Sequence, residues 1–201
     1  MQSTNTILMV KPSAFRFNEE TAVNNHFQMA DQSQTATQIK NKAVHEFESM
    51  VSMLQKNGVK IIVVDHDNGT ETPDAVFPNN WFSTHQNGDV YLYPMNATNR
   101  RLERKLEIFD TIKEKHHLQI SNIIDFTHGE KEDLFLEGTG SMILDRVNGL
   151  IYASISKRTS EKILSEYSKK INYDVISFKS YHSSSNLSPL IYHTNVMMCF
   201  A

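Results

Sequence analysis

The stretch "SMILDRVNGLIYASIS", Ser141–Ser156, contains the turn that decides the fold. Two runs rich in β-forming apolar residues flank Asn148-Gly149, and this dipeptide between such runs is the strongest short-range signal for a β-hairpin. Downstream, "SEKILSEYSKKI" has the periodicity of a helix and "DVISFKS" the composition of a strand. The segment is therefore predicted to form a ββαβ unit.

The same order of elements occurs earlier in the chain. "NWFSTHQNGDVYLYPM" predicts a hairpin that turns at Asn87-Gly88, "NRRLERKLEIFDTIKEKH" predicts a helix, and "NIIDF" predicts a strand. Gly149 follows Gly88 by 61 residues, and such repetition favours stacked supersecondary units over one doubly wound sheet. A single mixed α+β sheet would have the same order of elements and is the alternative.

The N-terminal third also alternates strand and helix. "TILMV", Thr6–Val10, predicts a buried first strand, and "TQIKNKAVHEFESMVSMLQKNG" predicts an amphipathic helix that ends at Asn57-Gly58. The continuous β-branched run "VKIIVVD" is typical of a strand buried on both faces. With 201 residues, the chain is predicted to be a single α/β domain, residues 1–201.

Composition and charge exclude several classes of partner. Lys and Arg number 20 against 23 Asp and Glu, so the net charge is -3 and there is no basic excess to neutralise a nucleic acid. No apolar run approaches the ~18 residues of a membrane span, and the N-terminus lacks the basic segment of a secretion signal. A single cysteine, Cys199, rules out an internal disulfide framework. We expect a cytoplasmic protein that binds neither nucleic acid nor membrane.

Polar residues that suit a binding site lie in three places, of which the first is "ETPDAVFPNNWFSTH". Here Asp74, Phe77 and Asn80 lie on a loop whose backbone is stiffened by Pro73 and Pro78. A stiff loop presents a carboxylate and amides well to a polar ligand. The alternative is that Asp and Asn only cap turns.

The other two places each contain one ionisable residue in an apolar setting. In "FLEGTGSMILDR", burial of Glu137 would require a cation or a hydrogen-bond donor, and the alternative is an edge-strand glutamate that points to solvent. In "PLIYHTNVMMCFA", His193 interrupts an apolar run, and Asn195 would share its face of a strand. Such a histidine serves as a general acid or base, or as a hydrogen-bonded core residue.

Four segments carry a resemblance to a known family: "MVKPSAFRFNEETAVNNHFQ", "PDAVFPNNWFSTH", "FLEGTGSMILDR" and "YHTNVMMC". Over almost its whole length the chain resembles the amidinotransferase and citrulline hydrolase-like branch of the pentein (guanidino-group-modifying) superfamily, which includes arginine deiminases and dimethylarginine dimethylaminohydrolases. The resemblance implies a five-bladed α/β propeller of ββαβ units around a polar pocket, with about three blades in this chain. It also implies attack by a cysteine thiolate on a guanidino or ureido carbon.

The same resemblance implies residue roles. Glu137 binds the nitrogen-rich group and assists proton transfer, and His193 is the general acid or base. The residues implied to bind the substrate are Asp74, Phe77, Asn80 and Asn195. Many relatives have aspartates where this chain has Asn80 and Asn195, and the amides remove negative charge and add NH₂ donors. We therefore expect a neutral ureido group, as in citrulline, to be preferred over a guanidinium, as in arginine. No cofactor is implied, and no ligand spacing predicts a metal site.

The nucleophile is where the chain departs from the family. In relatives the cysteine lies well beyond the histidine motif, whereas this chain ends at Ala201. Cys199 follows His193 by six residues, about 20 Å in a strand, so it is predicted to be a buried apolar residue. We expect a C-terminally truncated hydrolase, or less readily an amidinotransferase, whose nucleophile lies beyond these residues. The alternative is a naturally short, inactive binding or assembly module. In either case a homo-oligomer or a complementing chain would cover the open sheet edge.

Overall fold

In the part of the chain that the computed structural model describes, three β-sheets and their connecting helices make up a mixed α/β fold. The residues described are 2–25, 27–31, 33–65, 69, 71–183 and 189–200. They group into a first unit, Thr4–Pro78 and Ala97–Gln119, and a second unit, Asn79–Asn96 and Ile120–Ala201 with Met1–Ser3. The assignment of one domain stays a prediction.

The first unit is built on a parallel pair of strands. Its elements are β1 (Thr6–Val10), α1 (Glu19–Ala22), α2 (Ala36–Lys56), β2 (Lys60–Val64), α3 (Thr98–Arg101) and α4 (Glu107–His116). β1 and β2 pair in register, and α2 connects them. α2 begins with a capping box in which Thr35 and Gln38 each bind the other's backbone N–H, and Gly58 follows its end at φ +83°. The predicted helix is therefore confirmed.

Three predictions for this unit are wrong in detail. β2 is not buried on both faces: Ile62 is 1% exposed and Val63 is 46% exposed, because burial alternates as in a sheet with helices on one face. β1 is likewise only partly buried. The helix predicted up to His116 is two helices, α3 and α4. Between them, the N–H groups of Glu103 and Arg104 donate to carbonyls three residues back rather than four, and the Arg100 Nε and Glu103 Oε1 atoms are buried 2.9 Å apart.

The second unit contains two three-stranded sheets of the same construction. Its elements are β3 (Phe82–Thr84), β4 (Asp89–Leu92), β5 (Asn122–Asp125), α5 (Gly138–Ser141), β6 (Met142–Asp145), β7 (Leu150–Ser154), α6 (Glu161–Ile171) and β8 (Asp174–Phe178). In each sheet the first two strands are antiparallel and the third is parallel to the second. The turns at Asn87-Gly88 and Asn148-Gly149 are confirmed, as is the order of hairpin, helix and strand.

An aromatic core lies among the strands of the second unit. The Tyr167 ring on α6 contacts Tyr91 edge-on at 5.3 Å and Tyr93 at 5.5 Å between ring centroids. Leu136 and Met142, which bracket the glycine-rich turn, are fully buried in the same cluster. The core therefore supports the turn that carries Glu137.

Among the helices of the described residues, none is long and apolar enough to cross a membrane.

Candidate active site

The predicted site residues divide between the two units. Asn80, Glu137, His193 and Asn195 belong to the second unit, whereas Asp74 and Phe77 belong to the first. Each set is held by contacts within its own unit.

Glu137 lies at the start of the glycine-rich turn, and its side chain is fully buried. It is the N-cap residue of α5, and its backbone N–H donates to Ser141 Oγ at 2.8 Å. Gly138 follows at φ +46°, where a Cβ would come within 2.2 Å of the Asn79 carbonyl oxygen. Only glycine fits this approach, so the sequence Gly-Thr-Gly-Ser folds the chain back tightly around the carboxylate.

The Glu137 carboxylate has partners on both oxygens. Oε1 accepts a hydrogen bond from the Asn96 backbone N–H at 2.9 Å. Oε2 lies 2.8 Å from His193 Nε2 and 3.4 Å from Arg158 Nη1. Because a carboxylate accepts, the proton between Glu137 and His193 is assigned to Nε2. These donors replace the water lost on burial, so the alternative of a solvent-facing glutamate is wrong.

His193 is also buried, and the residue that follows it anchors this segment to neighbouring elements. Its ring packs against the Tyr192 ring with centroids 4.7 Å apart. The next residue, Thr194, donates through Oγ1 to the Ser141 carbonyl at 2.5 Å and accepts from Ser154 N at 2.8 Å. These bonds tie the histidine segment to α5 and β7, and so fix the ring relative to Glu137.

Asn80 meets His193 over Gly140. A Cβ on Gly140 would lie 2.4 Å from Asn80 Nδ2 and 2.8 Å from His193 Nδ1, so both side chains occupy the space that a larger residue would need. Asn80 is buried at the end of the 3-10 turn Pro78–Asn80. The structure thus brings Asn80, Glu137 and His193 together.

Asn195 and Cys199 do not join this group. Thr194–Val196 form a 3-10 turn rather than a strand, so the predicted alternation fails and Asn195 is exposed whereas His193 is buried. The prediction that Cys199 is a buried apolar residue is also wrong, since Cys199 is exposed. The Thr194 hydroxyl fixes the chain in the turn, and the residues after it leave the core.

In the first unit, the Asp74 carboxylate is bound by neighbouring side chains. Its Oδ2 accepts from Asn18 Nδ2 at 2.7 Å and from Thr21 Oγ1 at 3.1 Å. Arg100 Nη2 donates to the carbonyls of Asp74 and Phe77, both at 3.3 Å, and the Phe77 ring is 49% exposed. The loop is therefore stiff, as its prolines indicate, and the assignment of Asp74 and Phe77 to substrate binding stays a prediction.

Arg158 is a site residue that sequence reasoning missed. It is 2% exposed, pairs with Glu137, and places its guanidinium carbon 4.6 Å from the centroid of the Tyr192 ring. No local motif marks it, because it follows β7 in an ordinary polar loop. A buried arginine beside a buried carboxylate contributes the charge that an isolated Glu137 would lack.

A second, partly buried polar network lies within the same unit. Arg146 can only donate, so its contact of 3.3 Å to His85 Nδ1 places the histidine proton on Nε2, which donates to Ser83 Oγ at 3.1 Å. Ser83 Oγ also bonds the Tyr93 hydroxyl at 2.6 Å. Burial, followed by the charge of Arg146, lowers the pKa of His85 from 6.5 to about 4. Burial raises the pKa of Tyr93 to about 12. Both groups are therefore neutral near pH 7.

We expect this histidine to make the protein acid-sensitive. Because the pKa of His85 is lower when folded than when unfolded, the unfolded chain binds the proton first as the pH falls below 6.5. The free energy of unfolding should drop by about 3 kcal/mol between pH 6.5 and pH 4 from this group alone. Urea unfolding across this range should show a weaker pH dependence for His85→Gln. The control is the same substitution at an exposed histidine, His45→Gln. A pH dependence in His85→Gln as steep as in the unsubstituted protein would contradict the assignment.

The arrangement of Glu137 and His193 suits proton transfer to and from a nitrogen-rich group. A carboxylate accepts from N–H groups, and a histidine in contact with it can donate or accept a proton. Within the described part of the chain, no group of three His, Cys, Asp or Glu side chains could hold a metal ion.

Comparison with protein families gives a match over nearly the whole chain. Residues 11–201 match the family model described as N,N dimethylarginine dimethylhydrolase, eukaryotic. No match was found among curated proteins.

Solved structures share the fold at low sequence identity. The product-bound N-terminal domain of ArgZ, an arginine dihydrolase from the ornithine-ammonia cycle in cyanobacteria, gives a TM-score of 0.65 at 18% identity, over 89% of this chain and 58% of that one. DDAH from Pseudomonas aeruginosa, complexed with citrulline, gives 0.53 at 16% identity, over 86% and 60%. The ternary complex of AgrE with ornithine and NAD+ gives 0.65 at 19% identity, over 90% and 24%. The chain spans less than two thirds of the length of each of these structures.

Proposed function

We propose a function from the premise that this chain belongs to the N,N dimethylarginine dimethylhydrolase family, a family of guanidino-group hydrolases. The protein hydrolyses a C–N bond of a guanidino or ureido amino acid of the arginine or citrulline type, through a cysteine thiolate intermediate. The observation that carries this proposal is the fully buried Glu137 carboxylate, 2.8 Å from the buried His193. A buried acid and base in contact are costly for a fold and are typical of a site that moves protons.

The proposed chemistry assigns a step to each member of the pair. A thiolate attacks the central carbon of the substrate, and Glu137 accepts hydrogen bonds from the substrate N–H groups. The C–N bond breaks as His193 protonates the departing nitrogen. Water then attacks the remaining carbon–sulfur intermediate, and His193 takes up a proton from that water. The thiolate leaves unchanged, so the net reaction is hydrolysis.

We assign the thiolate to a cysteine other than Cys199. Cys199 is exposed and is not proposed as the nucleophile. The match covers 58% of the ArgZ domain. We place the nucleophile in a segment that corresponds to the unmatched remainder of that domain. In the same proposal, the sheets β3–β5 and β6–β8 are blades of a five-bladed α/β propeller formed by a single, cytoplasmic domain. An amidinotransferase would use the same covalent step with an amine in place of water.

The proposed substrate is a ureido amino acid in preference to a guanidino one. Asp74, Phe77, Asn80 and Asn195 are kept as proposed substrate-binding residues, but the argument on specificity uses Asn80 alone because Asn195 is exposed. An amide beside His193 offers no charge to a guanidinium, so a neutral group of the same shape is favoured.

The experiment that tests the function uses the protein isolated from its own cells. Its intact mass is compared with 23.1 kDa, and its turnover of citrulline, arginine and N,N-dimethylarginine is measured. We expect hydrolysis of citrulline to be fastest. Equal turnover of citrulline and arginine would overturn the preference for a ureido group. Binding without turnover in a protein of 23.1 kDa would instead support an inactive binding module.

Asn80→Asp should move the preference towards arginine. The new carboxylate would attract a guanidinium and reject the ureido oxygen, so the ratio of kcat/KM for arginine over citrulline should rise about tenfold. Asn87→Asp makes the same charge change in an exposed hairpin turn and should leave the ratio unaltered. An unchanged ratio in Asn80→Asp would remove Asn80 from the list of specificity residues.

A further inference from the structure

The segment of residues 93–96, called the 93–96 segment below, binds Glu137 and also a second carboxylate. The Met95 N–H donates to Glu130 Oε1 at 2.9 Å, and the next N–H, that of Asn96, donates to Glu137 Oε1 at 2.9 Å. Two consecutive backbone N–H groups of the 93–96 segment therefore bind two carboxylates that lie seven residues apart in the sequence. Each of the two bonds fixes the direction of one backbone N–H, so both contacts constrain the 93–96 segment.

Two other backbone groups of the 93–96 segment are bonded to neighbouring segments. Tyr93 N donates to the Trp81 carbonyl at 2.9 Å, and the Pro94 carbonyl accepts from Leu136 N at 3.1 Å. Proline has no N–H, so Met95 is the first residue after Tyr93 that can donate. The Met95 N–H is thus the contact nearest to Asn96 along the chain, and its acceptor influences where the Asn96 N–H points.

Glu130 lies on a support that is itself packed against the core. It belongs to the 3-10 helix Thr127–Glu132, in which Gly129 is buried. A Cβ on Gly129 would lie 3.0 Å from Ile163 Cδ1 of α6, and the Gly129 carbonyl accepts from Leu134 N at 2.9 Å. The 3-10 helix that carries Glu130 therefore packs closely against α6.

We propose that Glu130 is a positioning residue for Glu137. Glu130 fixes the Met95 N–H, and this contact orients the 93–96 segment so that the Asn96 N–H donates to Glu137 Oε1. Glu137 is then held with Oε2 towards His193. This inference rests on the proposed function, in which Glu137 binds the substrate. It assigns Glu130 no contact with substrate and no proton transfer.

The test uses three substitutions of Glu130 and a matched control. Glu130→Gln keeps an acceptor oxygen at the same reach, Glu130→Asp shortens the side chain by one methylene, and Glu130→Ala removes the acceptor. The control is Glu132→Ala, since Glu132 lies on the same 3-10 helix but is exposed and pairs with Lys162 at 2.6 Å. Circular dichroism establishes that each variant is folded, and the Asp and Gln variants keep the test usable if the Ala variant does not fold.

Two readouts separate positioning from a general loss of structure. In the ligand-free 201-residue chain, the Asn96 amide should exchange its hydrogen about tenfold faster in Glu130→Ala and Glu130→Asp, and at the original rate in Glu130→Gln and the control. In the protein from the native gene, kcat should fall about tenfold in the same two variants with KM nearly unchanged. The proposal would be overturned if the Asn96 amide exchanged at its original rate in Glu130→Ala. It would also be overturned if kcat fell as much in Glu130→Gln as in Glu130→Ala.

The two readouts also distinguish a failure of this inference from a failure of the proposed function. If the unsubstituted protein turns over none of the three amino acids, the proposed function fails. The exchange rate of the Asn96 amide then still decides whether Glu130 positions the 93–96 segment, which binds Glu137.

Discussion

Glu137→Gln is expected to abolish turnover and to lower the free energy of unfolding by about 3–5 kcal/mol, because it removes the charge from a buried carboxylate that is paired with Arg158. The neutral amide also has only one acceptor oxygen for the Asn96 N–H, His193 and Arg158, which now share two carboxylate oxygens. Its NH₂ group would face a donor, and an unsatisfied buried donor adds to the cost. The loss should therefore appear in stability and in activity together.

The measurement pairs urea unfolding with turnover of citrulline and arginine. Glu132→Gln is the matched control, because it removes a charge from an exposed pair with Lys162, and it should change stability far less than Glu137→Gln does. A Glu137→Gln protein that keeps its kcat would show that this carboxylate neither binds substrate nor moves a proton.

Gly138→Ala is expected to cost about 3 kcal/mol of stability, and Gly149→Ala only about 1 kcal/mol. Both glycines have positive φ, +46° and +68°, so both substitutions carry the strain of a left-handed backbone. They differ in the space around the new methyl group. At Gly138 it would lie 2.2 Å from the Asn79 carbonyl oxygen, whereas at Gly149 the nearest atom is Tyr173 Cδ1 at 3.8 Å.

The difference between the two variants isolates the close approach from the backbone strain. Denaturant midpoints of the two proteins, measured together, give it directly. Because the clash in Gly138→Ala is with backbone rather than with a flexible side chain, relief requires the turn to move, and Glu137 moves with it. We expect activity to fall in Gly138→Ala and to be retained in Gly149→Ala. Equal midpoints would mean that the turn is more compliant than its contacts indicate.

The secondary structure was predictable where the signal is local. Asn-Gly at residues 87–88 and 148–149 predicts both hairpins, because the turn type depends on the few residues in it. Asn57-Gly58 predicts the end of α2 for the same reason. Burial of β2 and continuity of the helix up to His116 were mispredicted, because both depend on what packs against the element rather than on its own residues.

The sequence by itself determined the strand and helix order, the glycine-rich turn and the choice of Glu137 and His193 as candidate site residues. Only the tertiary structure decided their partners: Asn96, Arg158 and His193 approach Glu137 from 41, 21 and 56 residues away. The physical reason is range. Backbone conformation is set largely by neighbours within one turn, whereas a buried carboxylate takes whatever donors the fold brings to it.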